Sequence, residues 1–268
     1  MAGSGNWACG PGRVDEEVAK GRYAPHSIHN YGRSLHLVLT HAVRQGLIAS
    51  SPADRLTSAE RPKPGSGRRR FLDRHEIGLL IDAAPDRYRV AIACGPFSGL
   101  RLSEMLGLTW GDIDTRGAML RVRHQMGRDG KRRALKPTAA RRDVILIAQL
   151  GNELRKLRLA SPYSSDEDLV FCSTAGRTIG HRNLTARGLE KAAMHAGLKG
   201  VTFHVLRHTF ASILIANGHD PVFVSRQLGH ANAAITLKVY AHLFDAERHA
   251  DEARTRLEAD YGALLARD

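Results

Sequence analysis

Cysteine is scarce in this sequence, and its spacing excludes two common kinds of stabilising site. The 268 residues include only Cys9, Cys94 and Cys172, which lie far apart and form no Cys-x-x-Cys pair. Three widely spaced cysteines support neither a disulfide framework nor a structural zinc site. We therefore expect a protein of a reducing, intracellular compartment.

Long apolar runs and acidic residues are also in short supply. No stretch approaches the ~18 consecutive apolar residues that a membrane span needs, and the N-terminus lacks the charged-then-apolar order of a signal peptide. Forty Lys and Arg face 27 Asp and Glu, which leaves a formal charge of +13. This excess favours a nucleic acid over a membrane surface as the partner. We expect a cytoplasmic, nucleoid-associated protein that has no membrane partner.

The chain divides into three predicted regions. Apolar residues recur at helical spacing between positions 28 and 43, so we predict a helical segment within a first region over 1–56. Residues 57–70 (TSAERPKPGSGRRR) are rich in Pro, Gly and Arg and predict a basic linker. A larger domain is predicted over 71–268. The linker ends in three arginines that either follow a phosphate backbone or are simply solvated: Arg68, Arg69 and Arg70.

The larger domain is predicted to be mainly α with a small antiparallel β-sheet, an α+β fold. Asp73 and Glu76 have the spacing of a capping box, and Asp220-Pro221 is typical of a helix start. Short Val-, Ile- and Leu-rich stretches predict strands at 118–125 and 141–147, joined by a basic connection, and a further strand at 169–172. Helices are expected over most of the remainder, including one at about 245–265.

The segment 202–243 is the most informative part of the sequence for chemistry. His204 and Arg207 are three residues apart and share one face of a helix, and His208 follows His204 by four. Two histidines at this spacing can bind zinc, but there is no His-Glu-x-x-His motif and a permanent cation lies on the same face. We therefore predict no metal and no other cofactor.

The same segment carries a specific family resemblance. Its HVLRHTFA, followed by LGHA and then by VYAHL, resembles the C-terminal signature of the tyrosine recombinase or phage integrase family. The resemblance covers about residues 71–265. It implies a tyrosine-recombinase-type catalytic domain preceded by a truncated helical core-binding piece, which makes the region 1–56 a partial DNA-binding segment. Each member of the family's catalytic set has a match in family order, namely Arg101, Lys136, His204, Arg207, His230 and Tyr240.

The resemblance also implies a role for each of these side chains. Tyr240 would attack a DNA phosphodiester and store its energy as a covalent ester, while the arginines stabilise the phosphate. Lys136 would protonate the departing 5′ oxygen, His204 would manage the tyrosine proton, and His230 would donate a hydrogen bond to the phosphate. The remaining two side chains would support the site rather than react: Glu104 and His208.

The position of the catalytic lysine rests on a short local pattern. Thr138 and Arg141 follow Lys136 much as in a family pattern of the form K-T-x-x-x-R, although Pro137 interrupts it. Lys131 lies five residues earlier in the same connection and is the alternative. We also predict that Arg141 contacts DNA.

Three functions fit this reading. The first is a metal-independent, site-specific recombinase that acts as a homotetramer on double-stranded DNA and integrates or excises a mobile element. The second is a truncated module that binds DNA without completing recombination, because only about 23–56 resembles the family's core-binding domain, and there only its last helix. The third is a DNA-relaxing topoisomerase, although the spacing from LGHA to the tyrosine and the overall size favour a recombinase.

Overall fold

The computed structural model describes residues 23–57, 61, 70–135, 140–244, 254–255 and 259. The chain forms two compact units that are divided between Arg68 and Arg69. This division falls inside the linker predicted at 57–70. The exact limits of the three regions remain a prediction. The helix predicted at about 245–265 lies almost wholly outside the described residues.

The described part of the first unit contains one long helix, as its apolar spacing predicts. Helix α1 spans Pro25–Arg44 and begins with a proline, whose fixed φ suits the first helical position. The chain then turns at Gly46, whose φ of 70° lies in the left-handed region that favours glycine. A 3-10 turn follows at Pro52–Arg55 and begins with the Ser51 side chain accepting a hydrogen bond from the Ala53 N–H.

Helices dominate the second unit, which carries the candidate site. Its α-helices are α2 Arg74–Asp82, α3 Asp86–Ser98, α4 Leu102–Leu106, α5 Ala148–Ala160, α6 His181–Asn183, α7 Glu190–His195, α8 Phe203–Ala216, α9 Pro221–Leu228 and α10 Ala233–Tyr240. A π-helical turn at Leu184–Leu189 joins α6 to α7, and 3-10 turns lie at Trp110–Asp112 and Ala241–Leu243. Within the described ranges, every helix is too short or too polar to span a bilayer.

Among the residues that the structure describes, five short strands form the predicted antiparallel structure, in two sheets rather than one. They are β1 Ile113–Asp114, β2 Met119–Val122, β3 His124–Met126, β4 Arg132–Ala134 and β5 Arg142–Ile145. One sheet has the order β1-β2-β5, with Leu120 opposite Val144, and β3 pairs with β4 in a separate hairpin.

Two strand predictions need correction. The predicted strand at 118–125 is broken at Arg123 into β2 and β3, and the basic connection supplies β4 as the partner of β3. At 169–172 only isolated bridges form, Leu169 to Thr109 and Cys172 to Thr178. In both places the pairing depends on which residues lie opposite, and β-propensity alone does not reveal the partners.

Local capping chemistry explains where several of the helices begin. The Asp73 side chain accepts the Glu76 N–H and the Glu76 side chain accepts the Asp73 N–H, so the predicted capping box is confirmed. Asp220 caps α9 by accepting the N–H groups of Val222 and Phe223. These contacts satisfy backbone donors that the first helical turn leaves without partners.

A close packing of α3 on α8 holds the site's two main helices together. A Cβ added at Gly95 on α3 would lie 2.6 Å from a methyl carbon of Leu206 on α8, so only glycine permits this approach. Leu206 is fully buried, together with Ile92 on α3. Since Arg207 follows Leu206, this packing also sets the position of the arginine.

Candidate active site

Arg101 lies at the junction between α3 and α4, at the edge of the core. Gly99 ends α3 with a φ of 60°, and Arg101 occupies the position just before α4. Its Nη1 donates to Glu104 Oε1 at 2.6 Å and its Nη2 donates to the Gly229 carbonyl at 3.2 Å. The side chain is 43% exposed, so these contacts orient the guanidinium while part of it faces solvent.

Glu104 is the buried carboxylate that joins two arginines. Its side chain is 0% exposed and accepts hydrogen bonds from Arg101 and, on the other side, from Arg142 Nη2 at 2.9 Å. Burial alone would raise the pKa of Glu104, but the charges and hydrogen bonds of Arg142 and Arg101 outweigh it and lower the pKa below its ordinary value. Glu104 is therefore ionised at neutral pH, and its supporting role stays a prediction.

Arg207 is buried on α8 and holds two backbone segments together. Its Nη1 donates to the Gly99 carbonyl at 2.7 Å, and its Nη2 donates to the Leu228 carbonyl. Burial, and then the charges of Arg101 and Arg142, lower the pKa of Arg207 to about 9. Since this value is still well above 7, the guanidinium stays charged at neutral pH.

The end of α9 collects hydrogen bonds from all three arginines. Arg142 donates to the Gln227 carbonyl, Arg207 to the Leu228 carbonyl and Arg101 to the Gly229 carbonyl. The last carbonyls of a helix have no partner inside the helix and carry the negative end of its dipole. Three guanidinium groups can therefore lie close together with one carboxylate among them.

His230 follows this carbonyl group directly. Its Nδ1 lies 2.8 Å from Oγ1 of Thr236, a fully buried residue of α10. Burial, followed by the charges of Arg207, Arg101, Arg142 and His208, lowers the pKa of His230 to about 4. The imidazole is therefore neutral at physiological pH in the absence of DNA.

The hydroxyl of Tyr240 forms a hydrogen bond with His208. Tyr240 is 3% exposed, and its hydroxyl lies 2.6 Å from Nδ1 of His208, which is also buried. His204 is exposed and packs edge-on against His208, with ring centroids 4.4 Å apart. His208 therefore contacts both the phenol of Tyr240 and the ring of His204, the residue that was predicted to manage the tyrosine proton.

Several predicted site residues lie outside this cluster or outside the described chain. Lys136, Arg68 and Arg69 fall outside the described residues, so their roles stay predictions. Arg70 forms an ion pair with Glu76 at 2.8 Å. The Nε of Arg141 donates to the Leu135 carbonyl at 3.2 Å, and the residue is exposed.

Sequence reasoning missed Arg142, which is 8% exposed and contacts Glu104. A usable signal was present in the alternation of β5. Arg142 shares its strand face with buried Val144, while Asp143 between them is exposed. An arginine on a buried strand face needs a carboxylate or carbonyl partner, and the identity of that partner was not readable from the sequence.

Comparison with known proteins assigns this fold to a class of proteins. The chain is similar to the Tn1549 transposon integrase (residues 82–397) solved in complex with circular intermediate DNA, with a TM-score of 0.76 and 19% identity over 91% of this chain and 84% of that one. The fold is that of tyrosine recombinase catalytic domains. A family model described as the phage integrase family matches residues 70–247, and the chain belongs to this family.

Similar proteins also occur among the curated bacterial recombinases. The chain is 32% identical over 207 residues to tyrosine recombinase XerC of Shewanella amazonensis, which covers 75% of this chain. It is 32% identical over 206 residues to tyrosine recombinase XerC of Xanthomonas axonopodis pv. citri, again over 75% of this chain. The chain spans less than two thirds of the length of these relatives, 64% and 62% respectively.

Proposed function

We propose that this chain is a site-specific DNA recombinase in which Tyr240 breaks and rejoins DNA strands through a 3′-phosphotyrosyl bond. The observation that carries the proposal is the hydrogen bond between the Tyr240 hydroxyl and His208 beside the arginine cluster. A phenol needs an acceptor for its proton before it can attack, and the phosphate needs positive charge to stabilise its transition state. This cluster supplies both.

The proton of the nucleophile is proposed to pass first to His208. The phenol oxygen forms a bond to the scissile phosphorus while the bond from phosphorus to the 5′ oxygen breaks. The phenol proton goes to His208, and Lys136, by family resemblance, gives a proton to the departing 5′ oxygen. His204, edge-on to His208, acts on the phenol through it. Because Tyr240 is buried, this step requires the tyrosine or its cover to move when DNA binds.

The phosphate is proposed to lie against Arg101 and His230. Arg101 is the partly exposed arginine of the cluster, and guanidinium geometry matches two phosphate oxygens. If Thr236 donates its hydroxyl proton to Nδ1 of His230, the neutral ring carries its own proton on Nε2 and can donate it to a non-bridging oxygen. Arg101 and Arg207 supply charge stabilisation that Mg²⁺ supplies in other phosphoryl transfers, so we propose metal-independent chemistry.

The partner is proposed to be double-stranded DNA carrying a specific recombination site. Similar integrases and recombinases have been solved bound to DNA, including XerH on its palindromic difH substrate. A formal charge of +13 suits a DNA partner in the cytoplasm, at the nucleoid. Assembly as a homotetramer and action on a mobile element are expectations that rest on the family resemblance alone.

A covalent-adduct assay tests the proposal. Sheared genomic DNA from the source organism is incubated with the protein and denatured, and DNA that stays linked to protein is sequenced. The enriched site is then rebuilt as a nicked duplex, in which cleavage traps the adduct. We expect an adduct with the wild-type chain, none with Tyr240→Phe, and a wild-type yield with Tyr163→Phe, whose hydroxyl contacts the Thr174 carbonyl instead.

Two results of the adduct assay would refute parts of the proposal. DNA binding without any adduct would refute the recombinase proposal and favour the truncated DNA-binding module. An adduct that survives in Tyr240→Phe would refute the assignment of the nucleophile.

A further inference from the structure

Arg142 has no task in the reaction proposed above, yet it contacts three parts of the site. Its side chain is 5% exposed. Its Nε donates to the Gln227 carbonyl at 2.7 Å, its Nη1 donates to the Ala140 carbonyl at 3.2 Å, and its Nη2 donates to Glu104 Oε2 at 2.9 Å. These bonds take up much of the guanidinium's donor capacity, so Arg142 is not placed to grip a phosphate itself.

One of these contacts leads to Arg101. Glu104 Oε1 accepts from Arg101 Nη1 at 2.6 Å and from Arg142 Nη1 at 3.3 Å, so one oxygen is shared by both arginines. Arg142 binds both carboxylate oxygens, Nη1 to Oε1 and Nη2 to Oε2, and this bidentate contact fixes the plane of the carboxylate. With Glu104 held in this way, the orientation of Arg101 follows.

A second contact leads to the segment that carries His230. Gln227, whose carbonyl Arg142 binds, also accepts the Ile145 N–H on its side-chain oxygen at 3.0 Å, which ties α9 to β5. A Cβ added at Gly229 would lie 2.8 Å from Arg142 Nη1, so the guanidinium packs directly on the glycine backbone. Arg142 therefore contacts the chain on both sides of Leu228, just before His230.

We propose that Arg142 is a positioning residue that orients Arg101 through Glu104 and the His230 segment through Gln227. The inference rests on the proposed function, because the phosphate is the group that Arg101 and His230 would meet. Arginine suits this role because its planar fork binds a carboxylate and a carbonyl at fixed angles, whereas a lysine ammonium is a single point charge. Lysine at this position keeps the charge and loses the geometry.

The expected effect is on the chemical step rather than on DNA affinity. A misplacement of about 1 Å in a catalytic group can cost about 100-fold in rate. We expect Arg142→Lys to slow single-turnover cleavage of the nicked duplex by about 100-fold while the DNA dissociation constant changes by less than about 3-fold. The matched control is Arg158→Lys, since Arg158 also joins a carbonyl to a carboxylate, Ser164 and Asp166. It should leave both quantities unchanged.

A substrate with an uncharged scissile group separates positioning from general loss of structure. In a methylphosphonate, a methyl group replaces one non-bridging oxygen and removes the charge that the arginines stabilise. The rate ratio of wild type to Arg142→Lys should shrink on this substrate, and Arg101→Ala with Arg142→Lys should lose little more than Arg101→Ala alone. A merely structural defect would reduce cleavage of both substrates equally and would add to the loss from Arg101→Ala.

Each result decides the question. If Arg142→Lys cleaves as fast as an active wild type, this inference is overturned and the proposed function stays intact. The same holds if the variant loses equal cleavage rate on both substrates. A wild-type chain that forms no adduct would overturn both. If Arg142→Lys does not fold, Gly229→Ala addresses the same contact by displacing the guanidinium. Gly229→Ala should then give slow cleavage with unchanged DNA affinity, and wild-type cleavage by this variant would overturn the inference.

Discussion

Replacing Glu104 by glutamine should destabilise the second unit strongly, although the side chain keeps its size. The carboxylate is 0% exposed and accepts from Arg101 Nη1 at 2.6 Å, from the Arg101 backbone N–H at 2.9 Å and from Arg142 Nη2 at 2.9 Å. An amide has only one acceptor atom, so its NH₂ group would face a guanidinium donor. Buried Arg142 and half-buried Arg101 would then lack their counter-charge.

The magnitude follows from the cost of breaking a buried ion pair. Removing one partner of such a pair typically costs about 3–5 kcal/mol, because a charge is left buried without compensation. For a unit of this size, 1 kcal/mol shifts Tm by about 2–4 °C, so we expect a fall of about 6–20 °C at pH 7. Circular dichroism recorded during thermal unfolding measures this fall in Tm.

Lowering the pH should narrow the difference in Tm between wild type and Glu104→Gln. The folded-state pKa of Glu104 is lowered, so its stabilising contribution is complete above the unfolded pKa of about 4.3 and is lost as the pH falls through the folded value. The gap in Tm between wild type and Glu104→Gln should therefore be widest near pH 7 and shrink below about pH 4. The control is Glu153→Gln, since Glu153 is exposed and pairs with exposed Lys156; it should change stability by less than about 0.5 kcal/mol.

Two results would refute this reasoning. If Glu104→Gln unfolded at the wild-type temperature, the carboxylate would not be the counter-charge of the arginines. If the gap in Tm were the same at pH 3.5 and pH 7, the effect would not arise from ionisation of Glu104.

Three further predictions follow from the same site. Gly99→Ala should destabilise the protein by about 2 kcal/mol or more, because a Cβ would lie 2.3 Å from Phe210 at a φ of 60°. The control is Gly218→Ala, which has a φ of 82° and no atom within 4 Å of the added Cβ, and should cost only about 1 kcal/mol. Equal Tm values for the two variants would contradict this prediction. The His230 imidazole should titrate near pH 4 in NMR spectra of the DNA-free protein, and its effect on folding should lower stability as the pH falls from about 6.5 towards 4; a measured pKa near 6.5 would show that it is not desolvated. Arg207→Lys should reduce the Tm and abolish cleavage, since one ammonium does not span the two carbonyls that the guanidinium joins; adduct formation at the wild-type rate would argue against this.

Much of the helical framework could be predicted because its signals are local. The Asp73–Glu76 capping box and the Asp220 cap act within three residues, and the structure confirms both. Gly229 ends α9 with a φ of 65°, in the left-handed region that favours glycine. The mainly helical fold with small antiparallel sheets is confirmed as well, and the family match agrees with the motifs in 202–243.

The predictions that failed depend on which residues pair across strands. Strand β4 exists because it pairs with β3, and the stretch at 169–172 forms only isolated bridges because its partners, Thr109 and Thr178, offer no longer ladder. Strand formation depends on such partners more than on intrinsic propensity. A basic connection therefore becomes a strand while an apolar stretch does not.

The sequence by itself determined which chemical groups this protein carries and which helices present them. His204 and Arg207 lie on one face of α8, because residues three apart are neighbours on a helix. Only the tertiary structure decided which groups meet. Arg142 reaches Glu104 across 38 residues, Tyr240 reaches His208 across 32, and Arg101 reaches Gly229 across 128. These contacts depend on how helices and sheets pack, and packing is a property of the whole core rather than of any local run of residues.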